Sequence, residues 1–98
     1  MNTQTIVPGD PVDAILPWID EEERALRQRL HRAWAIGAAR ATRALSGSAR
    51  ALYWQSAQIA SDWTFQPAPA AELKDIADAL IHLFKAARTF ERIEGPME

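Results

Sequence analysis

The chain contains no cysteine, so disulfide bonding and thiolate chemistry are both excluded. No run approaches the roughly 18–20 consecutive apolar residues that a bilayer span needs. The opening Met1-Asn2-Thr3-Gln4-Thr5 has neither a basic start nor a long apolar stretch, so no secretory leader is expected. Together these absences predict a cytoplasmic protein with no membrane partner. Strand-like alternation of apolar and polar residues is missing, as is any internal repeat. There is no glycine-rich phosphate loop, no HExxH pattern and no nucleophile elbow. Only two histidines occur, His31 and His82; no carboxylate stands one turn from His31 to orient it, and nothing near the Ser46-Gly47-Ser48 turn could activate a serine. Asp75, Asp78 and His82 share one side of a predicted helix, but three such groups make a weak metal set and read as an ordinary solvated face. No catalytic residue, metal or cofactor is expected, and the chain is read as a non-enzyme.

One further absence is local. Between Arg24 and Arg50 there are seven arginines and no acidic residue. The flanks are the reverse. Residues 1–23 hold six carboxylates and no Lys or Arg, and residues 51–98 hold seven carboxylates against four basic groups. The net charge of -2 therefore conceals three blocks of -6, +7 and -3.

What is abundant is alanine, at 19 of 98 residues. Alanine favours helix but buries little area, so the core of this short chain is expected to be thin. Self-association into a homodimer would bury more. Four tryptophans partly offset the thinness, each worth roughly 200 Å² of burial.

The pattern predicts an all-α fold: a small antiparallel bundle of three main helices plus a short N-terminal one. Residues 1–9 read as an irregular tail ending in Pro8-Gly9. The single helical domain covers residues 10–94, with helices near 11–17, 20–46, 48–64 and 70–93, and residues 95–98 form a C-terminal tail. Asp10 and Pro11 suit the start of the short helix, which Pro17 interrupts. Asp20 is a natural N-cap, with Glu23 placed for a capping box and four carboxylates at the positive end of the helix dipole. An unbroken helix from Asp20 to Phe65 would run nearly ~70 Å, too long for so small a domain. Ser46-Gly47-Ser48 supplies the break, with Gly47 as a left-handed stop and Ser48 as the next cap. A single kinked helix is the alternative. Gly95-Pro96 ends the last helix.

On the arginine-rich helix, Leu26, Leu30, Ala33, Gly37, Ala41 and Ala44 form the predicted core stripe, widened by Trp34, Ala38 and Leu45. The small residues Ala33, Gly37 and Ala41 permit close helix approach, within the bundle or across a dimer. Arg29, Arg32, Arg40 and Arg43 lie on or near a second face, which Arg50 continues if the chain is not sharply bent. Arg24 and Arg27 sit beside the acidic cap and read as local. In the next helix Leu52, Ser56, Ile59 and Trp63 form the expected buried side, and Trp54 turns away from it.

Four or five guanidinium groups on one face repel one another, and no acidic residue at i+4 relieves them. Negative charge must come from elsewhere. The chain's own carboxylates, in the N-terminal block or at Asp75 and Asp78, are one source. An acidic protein surface is another, and phosphate is the third. The net negative charge weighs against loose binding to duplex DNA. The functional expectation is a non-enzymatic protein–protein interaction module, an adaptor, assembly factor or small inhibitor of a larger complex. It would bind an acidic protein surface through Arg29, Arg32, Arg40, Arg43 and Arg50, with Trp54 as anchor. The alternative is nucleotide or nucleic-acid binding by the same side chains.

Overall fold

A computed structural model describes Val12 and residues 19–95. Three helices make up the described fold: α1 (Glu21–Arg43), α2 (Gly47–Thr64) and α3 (Ala70–Glu94). The predicted short helix near 11–17 falls outside the described residues, except for Val12, which is fully buried.

Asp20 caps α1 as its chemistry dictates. Its backbone is extended and its carboxylate accepts the Glu23 backbone N–H at 2.8 Å. Glu23 does not complete a capping box. Its carboxylate pairs with Arg27 at 2.8 Å, one turn further on. The break between the first two helices falls earlier than expected, and residues 20–65 form two helices, not one. Ala44 leaves helical geometry (φ -69°, ψ 133°), so α1 ends at Arg43 and not near residue 46. Ser46, not Ser48, is the N-cap of α2, accepting from the Ala49 N–H at 3.2 Å. Gly47 is accordingly the first residue of α2 and does not act as a left-handed stop. Among the described glycines only Gly95 has positive φ, at 64°, where it ends α3. Pro69 stands immediately before α3 with an extended backbone (φ -65°, ψ 154°).

The short linkers at 44–46 and 65–69 force an up-down-up order, and the packing agrees. At one end Leu26, Leu30, Ala60, Leu73, Ala77 and Leu80 form a core cluster, against which Ile59, Trp63 and Phe84 pack. At the other end Ala41, Ala44, Ala49, Tyr53 and Ala87 form a second. The closest helix pair is α1–α2 and the least extensive is α1–α3. Gly37 explains the first. A Cβ there would lie 3.0 Å from the Tyr53 carbonyl oxygen and 3.2 Å from Ala57.

Among the described residues seven of the thirteen buried apolar ones are alanine, so the core they form is as thin as the composition implied. Two expected core positions are not in it. Trp34 (41% exposed) and Leu45 (58%) face outward. Where glycine and alanine bring two helix axes together, a bulky neighbour such as Trp34 at the edge of the seam is displaced past the partner; Leu45 lies in the linker, beyond the end of α1 at Arg43.

Candidate interaction surface

The seven arginines separate into two kinds. Arg24, Arg27 and Arg50 are engaged by backbone carbonyls. Arg24 Nη2 donates to the Ile19 carbonyl at 3.0 Å. Arg27 is buried at 2% exposure and its Nη1 donates to the Thr64 carbonyl at 2.8 Å, while Nε pairs with Glu23. Thr64 is the last residue of α2, so its carbonyl has no partner within the helix. Arg27 therefore ties the first turns of α1 to the end of α2, a long-range role that reading it as local missed. Only the Glu23–Arg27 spacing hinted at it. Arg50 is exposed, but its Nη2 donates to the Ala44 carbonyl at 2.8 Å, closing the linker between α1 and α2.

Arg29, Arg32, Arg40 and Arg43 are all exposed, and none lies within 4.0 Å of a carboxylate among the described residues. Their spacing of three, eight and three keeps them on one side of α1. Arg29 flanks a groove between α1 and α3 that is floored by Ala33, Ala77, Leu80, Ile81 and Phe84. Ile36, 42% exposed, sits between the two arginine pairs. The Arg40 guanidinium lies 6.0 Å from the centre of the Tyr53 ring. Arg43 borders a second groove with Leu45, Ser46, Glu91 and Gly95, near Glu91 but not ion-paired with it. Arg40 and Arg43 occupy the last turn of α1, where the helix dipole favours cations. Arg29 and Arg32 have no such compensation.

Of the α3 carboxylates, Glu91 borders the Arg40–Arg43 end of this face without forming an ion pair, and Asp75 and Asp78 do not pair with it. Asp78 accepts Lys74 Nζ at 3.3 Å on the solvent side, and Asp75 and His82 are exposed. The N-terminal carboxylates Asp10 and Asp13 fall outside the described residues.

Trp54 is 50% exposed but does not join the arginines. On α2 it is one residue, about 100°, from the buried Tyr53. It lies on the side away from Leu52, Ile59 and Trp63, which pack toward the core that α3 completes. The arginine face borders α3. The six predicted binding residues are thus one group of four, plus Arg50 at the linker and Trp54 on another surface.

A polar clasp at the end of α3 was not anticipated. Tyr53 Oη donates to Glu91 Oε1 at 2.8 Å. Ser48 Oγ donates to Glu94 Oε2 at 2.6 Å, and Ser46 Oγ bonds the other oxygen of the same carboxylate. These two hydroxyls hold the Glu94 carboxyl below its ordinary range. Burial raises the Tyr53 phenol, the Glu91 carboxylate raises it further, and Arg40 opposes both. The spacing Glu91–Glu94 was visible, but nothing local paired it with serines more than forty residues away.

Among the described residues neither histidine hydrogen-bonds a hydroxyl or a carboxylate, and no group of three metal-ligating side chains converges. His31 instead lies against Trp34, with ring centres 5.3 Å apart. No described helix is long and apolar enough to cross a membrane. Comparison of the chain with protein-family models, curated proteins and solved structures returns no match.

Proposed function

We propose that this chain is a non-enzymatic protein-interaction module of the cytoplasm, serving as an adaptor, assembly factor or small inhibitor of a larger complex. It binds an acidic protein surface through Arg29, Arg32, Arg40 and Arg43. The observation that carries the reading is that these four exposed guanidinium groups have no ion-pair partner among the described carboxylates. Grouping them costs electrostatic repulsion that folding does not relieve, and a partner's carboxylates would relieve it. The planar fork of arginine binds carboxylates in pairs, and it is favoured over lysine at protein interfaces. Ile36, Ile81 and Phe84 add exposed or partly exposed apolar surface beside the cations. Charge then steers encounter while the apolar groove holds the complex.

Arg32→Glu with Arg43→Glu is the appropriate test, because neither side chain makes a hydrogen bond within the described fold. The double variant keeps wild-type helicity and melting behaviour. In parallel captures from native lysate, the proteins retained by the wild-type chain are lost from the variant. If both chains retain the same proteins, the arginine face is not the contact. Phosphate recognition has its own outcome: retention of labelled single- or double-stranded oligonucleotides that falls steeply with salt, or stabilisation by ATP, would replace the protein-partner reading.

A further inference from the structure

The arginine face has an opposite wall. Ile36 on α1 and Ile81 on α3 are each 42% exposed. On α1 the four open arginines stand seven and four residues before Ile36 and four and seven after it, so all share its side of the helix. The same spacing recurs on α3. Lys85, Arg88 and Arg92 follow Ile81 by four, seven and eleven residues. All three are exposed, and none lies within 4.0 Å of a carboxylate among the described residues. Lys74, seven residues before Ile81, continues the row and is paired with Asp78.

The two rows flank one groove. Ile81 lines it with Ala77, Leu80 and Phe84 from α3, and Arg29, Leu30 and Ala33 line it from α1. The two helices run in the same direction: Leu30 and Ala33 meet Ala77 and Leu80 toward one end, and Arg43 meets Glu91 toward the other. Arg88 therefore stands near the level of Arg40, on the opposite wall. Because α1 and α3 pack least extensively of the three helix pairs, the valley between them stays open. Its floor is apolar, and its α1 rim, from Arg29 to Arg43, is ~21 Å long.

The chain has few carboxylates to spend here. Asp78 is taken by Lys74, and Glu91 accepts the Tyr53 hydroxyl. Outside the described residues the sequence holds Asp10, Asp13 and Glu98, three carboxylates against seven cations. We propose that this groove seats one amphipathic helix of a partner protein, apolar along its centre and acidic along both edges. This rests on the partner-binding reading of the arginine face and adds a second wall to it.

The form of the groove selects a helix. A valley between two side-by-side helices takes a further helix, whose side chains at i, i+3, i+4 and i+7 enter it. A helix satisfies its own backbone. An extended strand would set unpaired N–H and C=O groups on a floor of Ala33, Ala77 and Phe84 that has no sheet edge to pair them. Carboxylates three and four residues apart on each edge meet cations of the same spacing. Nucleic acid fits less well, because base stacking needs exposed rings. The exposed Trp34 and Phe65 border a different pocket with Ser61 of α2. Phe84 is partly buried, its ring centre 5.9 Å from that of Tyr53.

The probe is a designed, fluorescently labelled peptide of about 18 residues, long enough to span the rim. It carries leucine at every third and fourth position and glutamate on both flanks of that stripe. Anisotropy should report micromolar binding to the full chain that weakens with salt, and the peptide should gain helicity on binding. A scrambled peptide of the same composition, with no continuous leucine stripe, should bind at least about tenfold more weakly. Lys85→Glu with Arg88→Glu should weaken the designed peptide by about tenfold or more, as should Arg32→Glu with Arg43→Glu, and both double variants keep the native circular dichroism. Trp54→Ala, on another surface, should leave the affinity unchanged. No binding, binding without a gain in helicity, equal binding of the scrambled peptide, or an unchanged affinity in the α3 double variant overturns the helix seat. Those four results leave the arginine face itself standing, because lysate capture by Arg32→Glu with Arg43→Glu judges it without the peptide. Displacement of the peptide by an equimolar oligonucleotide overturns both.

Discussion

Replacing Arg27 with alanine should be the most damaging single change among the seven central arginines. Its guanidinium is buried, and one arm holds the carbonyl of Thr64 at 2.8 Å while another holds Glu23. Removing it leaves a buried carbonyl without a donor and cuts the tie between the start of α1 and the end of α2. A charged hydrogen bond to a buried acceptor is worth about 1.5–3 kcal/mol, against which the better helix propensity of alanine returns a few tenths. The Glu23 pair adds little, because that carboxylate is partly solvated. A net loss of about 2 kcal/mol follows, or a fall in melting temperature of roughly 8–16 °C for a domain of this size. Thermal and urea unfolding followed by circular dichroism at 222 nm measure it, with Arg32→Ala as the comparison at under about 0.5 kcal/mol. If Arg27→Ala and Arg32→Ala cost the same, the division of the arginines into structural and open sets is wrong.

Gly37→Val should lower stability by about 2 kcal/mol or more, because its Cβ meets the α2 backbone at 3.0–3.2 Å although valine has the better helix propensity. A neutral or stabilising result in the same melts would show that the α1–α2 seam can open. The single tyrosine makes alkaline titration specific: Tyr53 absorbance at 295 nm should rise at a higher pH than in the unfolded chain. Because the folded phenol is raised, its contribution to stability is complete below the unfolded value near 10 and is lost as the pH climbs through the folded one. Ionisation at or below that unfolded value would contradict the burial and the Glu91 bond. Glu94 works in the opposite sense. Its lowered folded value means that the clasp to Ser46 and Ser48 contributes above the ordinary glutamate range, about 4.3, and is lost as the pH falls through the folded value. Glu94→Gln should therefore flatten the acid side of the stability profile, and an unchanged profile would remove the clasp from the account.

The three main helices were legible because each signal is local. Asp20 caps the helix that follows it, Pro69 precedes one, and Gly95 ends one with positive φ. The break after α1 was placed a few residues late, since Ser46 and Ser48 are both competent caps. Both hydroxyls bond Glu94, which reaches the linker from the end of α3, and only Ser46 also accepts the Ala49 backbone N–H. Core membership at Trp34 was misjudged because periodicity reports direction and not the distance between axes, which Gly37 shortens, and at Leu45 because α1 ends at Arg43, before the helical period reaches it. The arginine face was visible as an acid-free stretch. Its division into four open groups and three engaged ones was not, because the Arg27 acceptor lies 37 residues away. Grouping Trp54 with the arginines failed for a related reason: the break at residues 44–46 puts it on a second helix whose rotation only packing determines.

The central claim is that Arg29, Arg32 and Arg43 are surplus to the fold, and neutralising them tests it most directly. Arg29→Gln, Arg32→Gln and Arg43→Gln combined should leave the melting temperature at low ionic strength unchanged or raise it, since repulsion is relieved and no ion pair among the described residues is lost. Added salt should bring the native chain toward the variant by screening that repulsion. A drop of several degrees in the variant at low salt, shrinking as salt is added, would mean that the chain's own carboxylates already cover the face, and would contradict the account.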